Sequence, residues 1–434
     1  MILRIIILLF AFLLLSGSSF AADTESISLT DPNSDSVETS EVTSLKNLIQ
    51  EAVTKNPILL SLGYQVTAQG AKASWIKVRP DPMFTNATNT DKYPFRYQSL
   101  GKDPMNQVQF LLGQDFPYPG KLKLKGKIET SELETMKSSY DQTKLELTSR
   151  LKKAYYDLYY TSKSIEIIED VKVLLETLAG TVKAKYEVGD GSQQDLLKVH
   201  LEISKLLEEY ETLKKDRESY IAEINSIVIR PQGTDIPSVE EITKQSFTYK
   251  ASDLLGLYKE NYPLLQGQKA QVEKGNLAVK LAKKGYYPDF SVEAGYGQRA
   301  NPMDPMYMFQ VMSSLPVYYR SKQRKQLEEA RATLKAQEEA YNSIAVEAER
   351  KIKDLHIQIE KNETLIELVQ SGIIPQARLA VDASIASYKV SKTDFLTLLD
   401  NVRTLLNSQI DYYKHLTDYE KAIAELEPLI GREL

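Results

Sequence analysis

The chain has 434 residues, no cysteine, 54 Lys and Arg against 59 Asp and Glu, and a formal net charge of -5. Without thiols there is no disulfide framework, no thiolate zinc site and no lipid-modified cysteine, and so weak and mixed a charge excludes nucleic acid as the main partner. Past the first residues no apolar stretch approaches the roughly 20 residues of a transmembrane helix, so any membrane anchorage has to come from β-strands.

Arg4 precedes an apolar run over 5–15 and a small-residue stretch over 16–22, with Ser19 and Ala21 at small-x-small spacing. This pattern predicts a cleaved secretory signal over residues 1–21. Residues 22–44 carry Asp23, Glu25, Asp31, Asp35, Glu38 and Glu41 with no Lys or Arg, and read as a flexible acidic leader.

From residue 45 the chain repeats itself. Asn56-Pro57 is followed by Pro82-Met83-Phe84, and Tyr262-Pro263 at the same spacing by Pro288-Asp289-Phe290. Asp115-Phe116-Pro117-Tyr118 leads into Lys121, Lys123, Lys125 and Lys127, as Ser314-Leu315-Pro316-Val317 leads into Arg320, Lys322, Arg324 and Lys325. Tyr186-Glu187-Val188-Gly189 with Leu196-Leu197 matches Tyr388-Lys389-Val390-Ser391 with Leu398-Leu399. A tandem duplication accounts for all three pairings. The expected boundaries are a first repeat over 45–230, a linker over 231–251 and a second repeat over 252–434.

Each repeat reads as helix, two strands, long helix, turn, helix. In the first, strands are expected at about 83–90 and 106–117, a long helix over 128–186 from apolar residues at three- and four-residue steps, and a turn near 186–192. In the second, strands are expected at about 289–297 and 306–317, a long helix over 326–388, and a turn near 388–393. Pro375 and Gly372 predict a kink in that last helix. A helix of some sixty residues is roughly 90 Å long, beyond what one globular domain covers, so the assembly is elongated.

The strands alternate. Val108, Phe110, Leu112 and Phe116 interleave with Gln107, Gln109 and Asp115, and Phe290, Val292, Ala294 and Tyr296 with Ser291, Glu293 and Gly295. Tyr307, Phe309, Val311 and Leu315 form a third apolar stripe. A membrane barrel shows this pattern, as does a half-buried soluble sheet. Four strands in lipid would leave unpaired edges at several kcal/mol per group, so several chains would have to pool them.

The duplication, the paired Pro-aromatic signals, and the Tyr-x-x-Gly turn followed by Asp195, Leu196 and Leu197 together resemble the outer-membrane efflux protein family typified by TolC, from residue 45 to the C-terminus. The Gln-Asp-Phe-Pro-Tyr-Pro-Gly-Lys string over 114–121 looks like its heavy-metal branch. The resemblance implies a mainly α fold with a small β part: long helical hairpins forming a periplasmic tunnel, and a transmembrane β-barrel shared between three chains with four strands each. It implies an outer-membrane location, a homotrimer, a periplasmic adaptor (membrane fusion) protein and an inner-membrane pump such as an RND transporter as partners, no cofactor and no catalysis.

Carried over by position, the aperture and adaptor-contact residues are Tyr186, Gly189, Asp195, Tyr388, Ser391, Asp394 and Asp400. Asp195 and Asp394 also suit helix starts. Family members often place a basic residue two positions after the glycine as a latch, where this chain has Gly191 and Thr393. In the implied topology Lys121, Lys123, Arg320 and Lys322 meet outer-membrane lipid headgroups; solvated helix starts give the same pattern. Asp-Pro-Met recurs at 81–83, 103–105 and 304–306, and thioethers suit Cu(I), although Met is usually a packing residue. The histidines His200, His356 and His415 stand singly, without ligand spacing. The competing reading is an exported periplasmic coiled-coil scaffold or adaptor.

Overall fold

The computed structural model describes residues 44–89, 106–236, 239–299 and 303–434. The expected signal sequence, the leader up to residue 43 and the Asp-Pro-Met at 103–105 lie outside the described residues.

Two short helices, α1 (Leu45–Lys55) and α2 (Pro57–Trp75), meet at Asn56. Its backbone is extended, its side-chain oxygen accepts from the Ile58 amide at 3.0 Å, and Pro57 occupies the first helical position, where a missing N–H costs nothing. The buried Asn56 amide also donates to the Ile227 carbonyl at 3.0 Å. The second half repeats the device less fully: α5 (Ala251–Asn261) meets α6 (Pro263–Lys284) at extended Tyr262, with Pro263 leading but no side-chain cap.

Each helix pair hands over to a hairpin. Strands β1 (Met83–Asn89), β2 (Gln107–Phe116), β3 (Phe290–Gln298) and β4 (Met306–Ser313) form one antiparallel sheet in the order β1-β2-β3-β4. Its register sets Phe84 opposite Leu112, Leu112 opposite Ala294 and Ala294 opposite Phe309.

Helix α3 (Lys121–Glu187) has 67 residues and, at about 1.5 Å each, is about 100 Å long. It starts at Lys121 and not near 128, because Gly120, in the left-handed region at φ 87°, turns the chain straight out of the strand. Lys and Leu, both good helix formers, then carry the helix from its first turn. α4 (Gln193–Val228) returns alongside α3. In the second half α7 (Gln323–Leu368) runs into a π-helical turn at Val369–Ile373 and then α8 (Ile374–Lys389), before α9 (Phe395–Ile430) returns. The expected interruption near Gly372 and Pro375 thus takes the form of a π-turn ahead of the proline, which sits in the first turn of α8, where its missing N–H is tolerated. No helix among the described residues is long and apolar enough to cross a membrane.

The core is strung along the helices as three clusters. One joins α3, α4, α8 and α9 through Leu175, Val182, Val199, Val381, Phe395 and Leu398. A second gathers Tyr159, Tyr258, Ile352, Leu355, Tyr419 and Leu426. The third packs α1 on α3 and α4 through Leu48, Leu151, Leu158 and Ile224.

The segment between the halves is strapped across the helices by buried phenols. The Tyr155 hydroxyl accepts from the Glu240 amide at 3.0 Å, Tyr159 donates to Glu241 at 2.9 Å, and Tyr419 donates to the Gln245 carbonyl at 2.8 Å. Burial pushes Tyr155 and Tyr419 from 10.0 up to about 12. Such groups contribute stability that is complete below the unfolded value and lost as pH rises through the folded one. Unfolding midpoints followed by circular dichroism should therefore fall between pH 10 and about 12, and Tyr155→Phe should flatten that decline. A variant with an unaltered alkaline limb would refute the assignment to Tyr155.

Candidate functional site

The two helix–helix turns share one backbone design. After α3, the Gly189 amide donates to the Tyr186 carbonyl at 3.1 Å and the Asp190 amide to Lys185 at 2.9 Å; after α8, Ser391 donates to Tyr388 at 3.1 Å and Lys392 to Ser387 at 2.9 Å. Both are helix ends closed by a left-handed residue. Gly189 adopts φ 77° freely, whereas Ser391 holds φ 59° at a cost of about 1 kcal/mol.

A polar bridge ties the two turns together. Lys185 donates to the Ser391 hydroxyl at 2.7 Å, that hydroxyl donates to Asp190 at 2.8 Å, and Lys185 lies 3.5 Å from Asp190. The ammonium also sits 4.9 Å from the centre of the Tyr388 ring. The Ser391 hydroxyl and then the Lys185 charge hold the Asp190 carboxyl below its ordinary range. Burial, and then the Asp195 and Asp190 charges, raise Tyr388.

The predicted tip residues are brought together here, with distinct places. Tyr388 is buried and meets Phe395 edge-on at 5.6 Å, while Tyr186 is exposed. Ser192 caps α4, accepting from the Gln194 amide at 3.0 Å, and Asp195 lies in the first turn of that helix. Asp394 occupies the cap position of α9, where its carboxylate accepts from the Thr397 hydroxyl at 2.5 Å. Asp400 is exposed six residues further along α9. Gly191 is pressed against its own helix end, where a Cβ would lie 2.9 Å from the Tyr186 nitrogen. The cation comes instead from Lys185, which the sequence reading missed along with Asp190. Their signal was the charge reversal between the aligned turns, Asp190 in the first and Lys392 in the second.

At the other end the sheet has two unlike faces. Pairing and alternation put Phe84, Phe110, Leu112, Val292, Tyr307 and Phe309 on one side, much of it exposed: Phe309 at 73% and Phe84 at 68%. Gln109, Asp115, Glu293 and Gln310 stand on the other.

Where helices meet strands, Lys121 is tied internally. Its ammonium donates to Asp289 at 2.8 Å and to the Tyr287 carbonyl at 3.1 Å, while the Tyr118 amide donates to the same carboxylate at 2.6 Å. Burial would raise Asp289, but these bonds outweigh it and hold the carboxyl below its usual range. Tyr118 stacks on Tyr287 with ring centroids 4.5 Å apart. Lys123, Arg320 and Lys322 are exposed. Among the described residues no group of three or more His, Cys, Asp or Glu is placed to hold a metal ion.

A long helical body carrying a four-stranded sheet with one exposed apolar face is the fold of the outer-membrane channels. The structure superposes on the outer membrane protein VceC from Vibrio cholerae with a TM-score of 0.76 and 16% identity, covering 90% of this chain and 96% of that one. It superposes on the MtrE outer membrane channel of Neisseria gonorrhoeae with a TM-score of 0.74 and 16% identity, covering 89% of each.

Residues 254–432 match the family model described as outer membrane efflux protein. A relative in sequence is the cobalt-zinc-cadmium resistance protein CzcC of Cupriavidus metallidurans, 25% identical over 182 residues. That match covers 42% of this chain and 43% of CzcC, so the chain spans less than half the length of the relative it matches. The TolC-type resemblance read from the sequence holds: the chain has that family's fold, and its second half carries the family's sequence pattern.

Proposed function

We propose that this protein is the outer-membrane subunit of a passive exit duct, a homotrimer in which three four-stranded sheets close one barrel and the helices form a periplasmic tunnel. An inner-membrane pump, such as an RND transporter, and a periplasmic adaptor deliver cargo to it, and no step is catalysed. The observation that carries this reading is the two-faced sheet at the end of a helical body too long for a globular domain. One apolar face suits lipid and one polar face suits a watery lumen. An exposed face of Phe84, Leu112, Phe309 and Tyr307 has no use on a periplasmic scaffold. Resistance to cobalt, zinc and cadmium in the name of CzcC favours metal ions as cargo.

In this reading Lys123, Arg320 and Lys322 reach the headgroups at the periplasmic leaflet, Lys121 fastens the bases of the two hairpins, and the Tyr186 and Tyr388 turns with Gly189 and Ser391 form the distal mouth. Asp195, Asp394 and Asp400, in three copies, line that mouth and favour cations. Asp400→Asn is expected to raise leak through the channel in planar bilayers; unchanged permeability would remove Asp400 from the mouth. The deciding experiment is fractionation followed by sizing with light scattering. A trimer that needs detergent for extraction and dissociates only on heating in SDS supports the duct. Extraction by salt alone as a monomer or dimer would replace it with the scaffold or adaptor reading.

A further inference from the structure

Four of the chain's eight methionines, Met83, Met306, Met308 and Met312, stand on the polar face of the sheet, opposite the aromatic one. Met83, Met312 and Met306 remain 65%, 47% and 37% exposed, so filling a core, the ordinary use of methionine, does not account for them. On β4 the three sulfurs recur on one side of the strand, with Gln310 between Met308 and Met312.

The neighbouring strand carries glycine opposite two of them. Gly295 and Gly297 share that face, and a Cβ on Gly295 would lie 3.5 Å from the Met308 methyl and 2.6 Å from Leu111. A Cβ on Gly297 would lie 2.5 Å from the Gln107 side-chain oxygen and 3.6 Å from the Met306 Cβ. The Leu111 and Gln107 side chains thus lie over the two glycines from β2, and the thioethers of β4 border them on the other side. Gln107 is 6% exposed, and its side-chain oxygen, which lies over Gly297 beside Met306, accepts no hydrogen bond.

We propose that this face is a transit path for soft monovalent metal ions, Cu(I) or Ag(I), with Met312, Met308 and Met306 as successive ligands and the Gln107 oxygen as a further donor. The proposal rests on the barrel reading above, which makes this face the lumen. Thioether sulfur prefers soft cations, and a chain without cysteine offers no thiolate to compete. Asp115 and Glu293 stand at the helix-side end of the stripe, where their charge gathers cations. At the far end the Arg299 guanidinium donates to the Met306 sulfur at 3.0 Å, putting positive charge where the ion must leave. Neutral sulfurs in series, with a repelling charge at the exit, give sites weak enough for conduction.

The test is Ag(I) titration of the detergent-purified full-length protein by calorimetry, after sizing, beside the Met306→Leu/Met308→Leu/Met312→Leu variant, which keeps volume and removes sulfur. The wild-type trimer is expected to bind Ag(I) at least about tenfold more tightly than the variant does, with Zn(II) indifferent to the change. In wild-type protein labelled at the methionine methyls, Ag(I) is expected to shift resonances of these residues, a readout that does not require the variant to fold. A trimer that binds no Ag(I), or a variant that binds it equally well, overturns the methionine path and leaves the duct standing. A protein that is no trimer overturns both.

Discussion

Lys152→Met is expected to destabilise the helical body by about 3–5 kcal/mol at neutral pH, because it strands a buried charge. The Lys152 ammonium lies 2.7 Å from both carboxylate oxygens of Glu427, and the two side chains are 13% and 3% exposed. The Leu434 amide also donates to Glu427 at 3.0 Å, so this carboxylate fastens the chain's end to α3 and α9. Burial raises the Glu427 carboxyl above 4.5, against the lowering pull of Lys152. For a carboxyl raised in the folded state, stability is greatest below the unfolded value and falls as pH rises toward the folded one. Removing the lysine widens that window, so the loss in Lys152→Met should shrink below pH 4.5. Lys152→Met combined with Glu427→Gln should recover much of it at neutral pH. Thermal unfolding of the three proteins at both pH values checks this; a loss under about 1 kcal/mol at neutral pH would mean that water reaches Glu427.

In the proposed duct, Lys185→Ala is expected to open the distal mouth, raising single-channel conductance in planar bilayers by roughly twofold to tenfold without altering trimer yield. Lys185 is bonded to both turns, to Ser391 directly and to Asp190 electrostatically. Without it, Asp190 faces the turn of α8 uncompensated and Tyr388 loses the ammonium on its ring. Ser391→Gly separates geometry from bonding: it relieves the left-handed strain yet removes the hydroxyl that links Lys185 to Asp190. If the bridge holds the mouth, both variants conduct more; if only the turn's shape matters, Ser391→Gly conducts like the parent. Raised salt should mimic Lys185→Ala in part, because the bridge is partly exposed. A Lys185→Ala channel with parental conductance would take this bridge out of the gate.

What was legible in the sequence was whatever repeats along it. Period-two alternation marked Val108, Phe110 and Leu112, and the doubled order of elements revealed Tyr262-Pro263 as the counterpart of Asn56-Pro57. The chain's long-range ties were not legible, because no local period encodes them. Lys121 reads as the first of a row of exposed lysines, yet its partner Asp289 lies 168 positions away. Lys185 and Ser391 are 206 apart. The α3 start was missed for a related reason: Gly120 acts through a positive φ, which composition does not display. Matching the tip motif by position drew attention to Gly191 as a missing basic residue, when the close approach to Tyr186 leaves that position no side chain and the cation enters from the preceding helix instead.

The open borders of the sheet bear on how such a protein is made. Among the described residues β1 and β4 each pair on one side only within the chain. A single copy therefore presents two strand margins and an oily face, the features that make unassembled strands stick to one another. If these strands enter lipid as proposed, insertion one copy at a time would leave each margin without partners. In the proposed duct the copies would then have to find each other before or during entry, so biogenesis would depend steeply on supply. A mutant with a sound helical body and a damaged β4 margin would do harm beyond its own loss, by drawing intact copies into rings that never close.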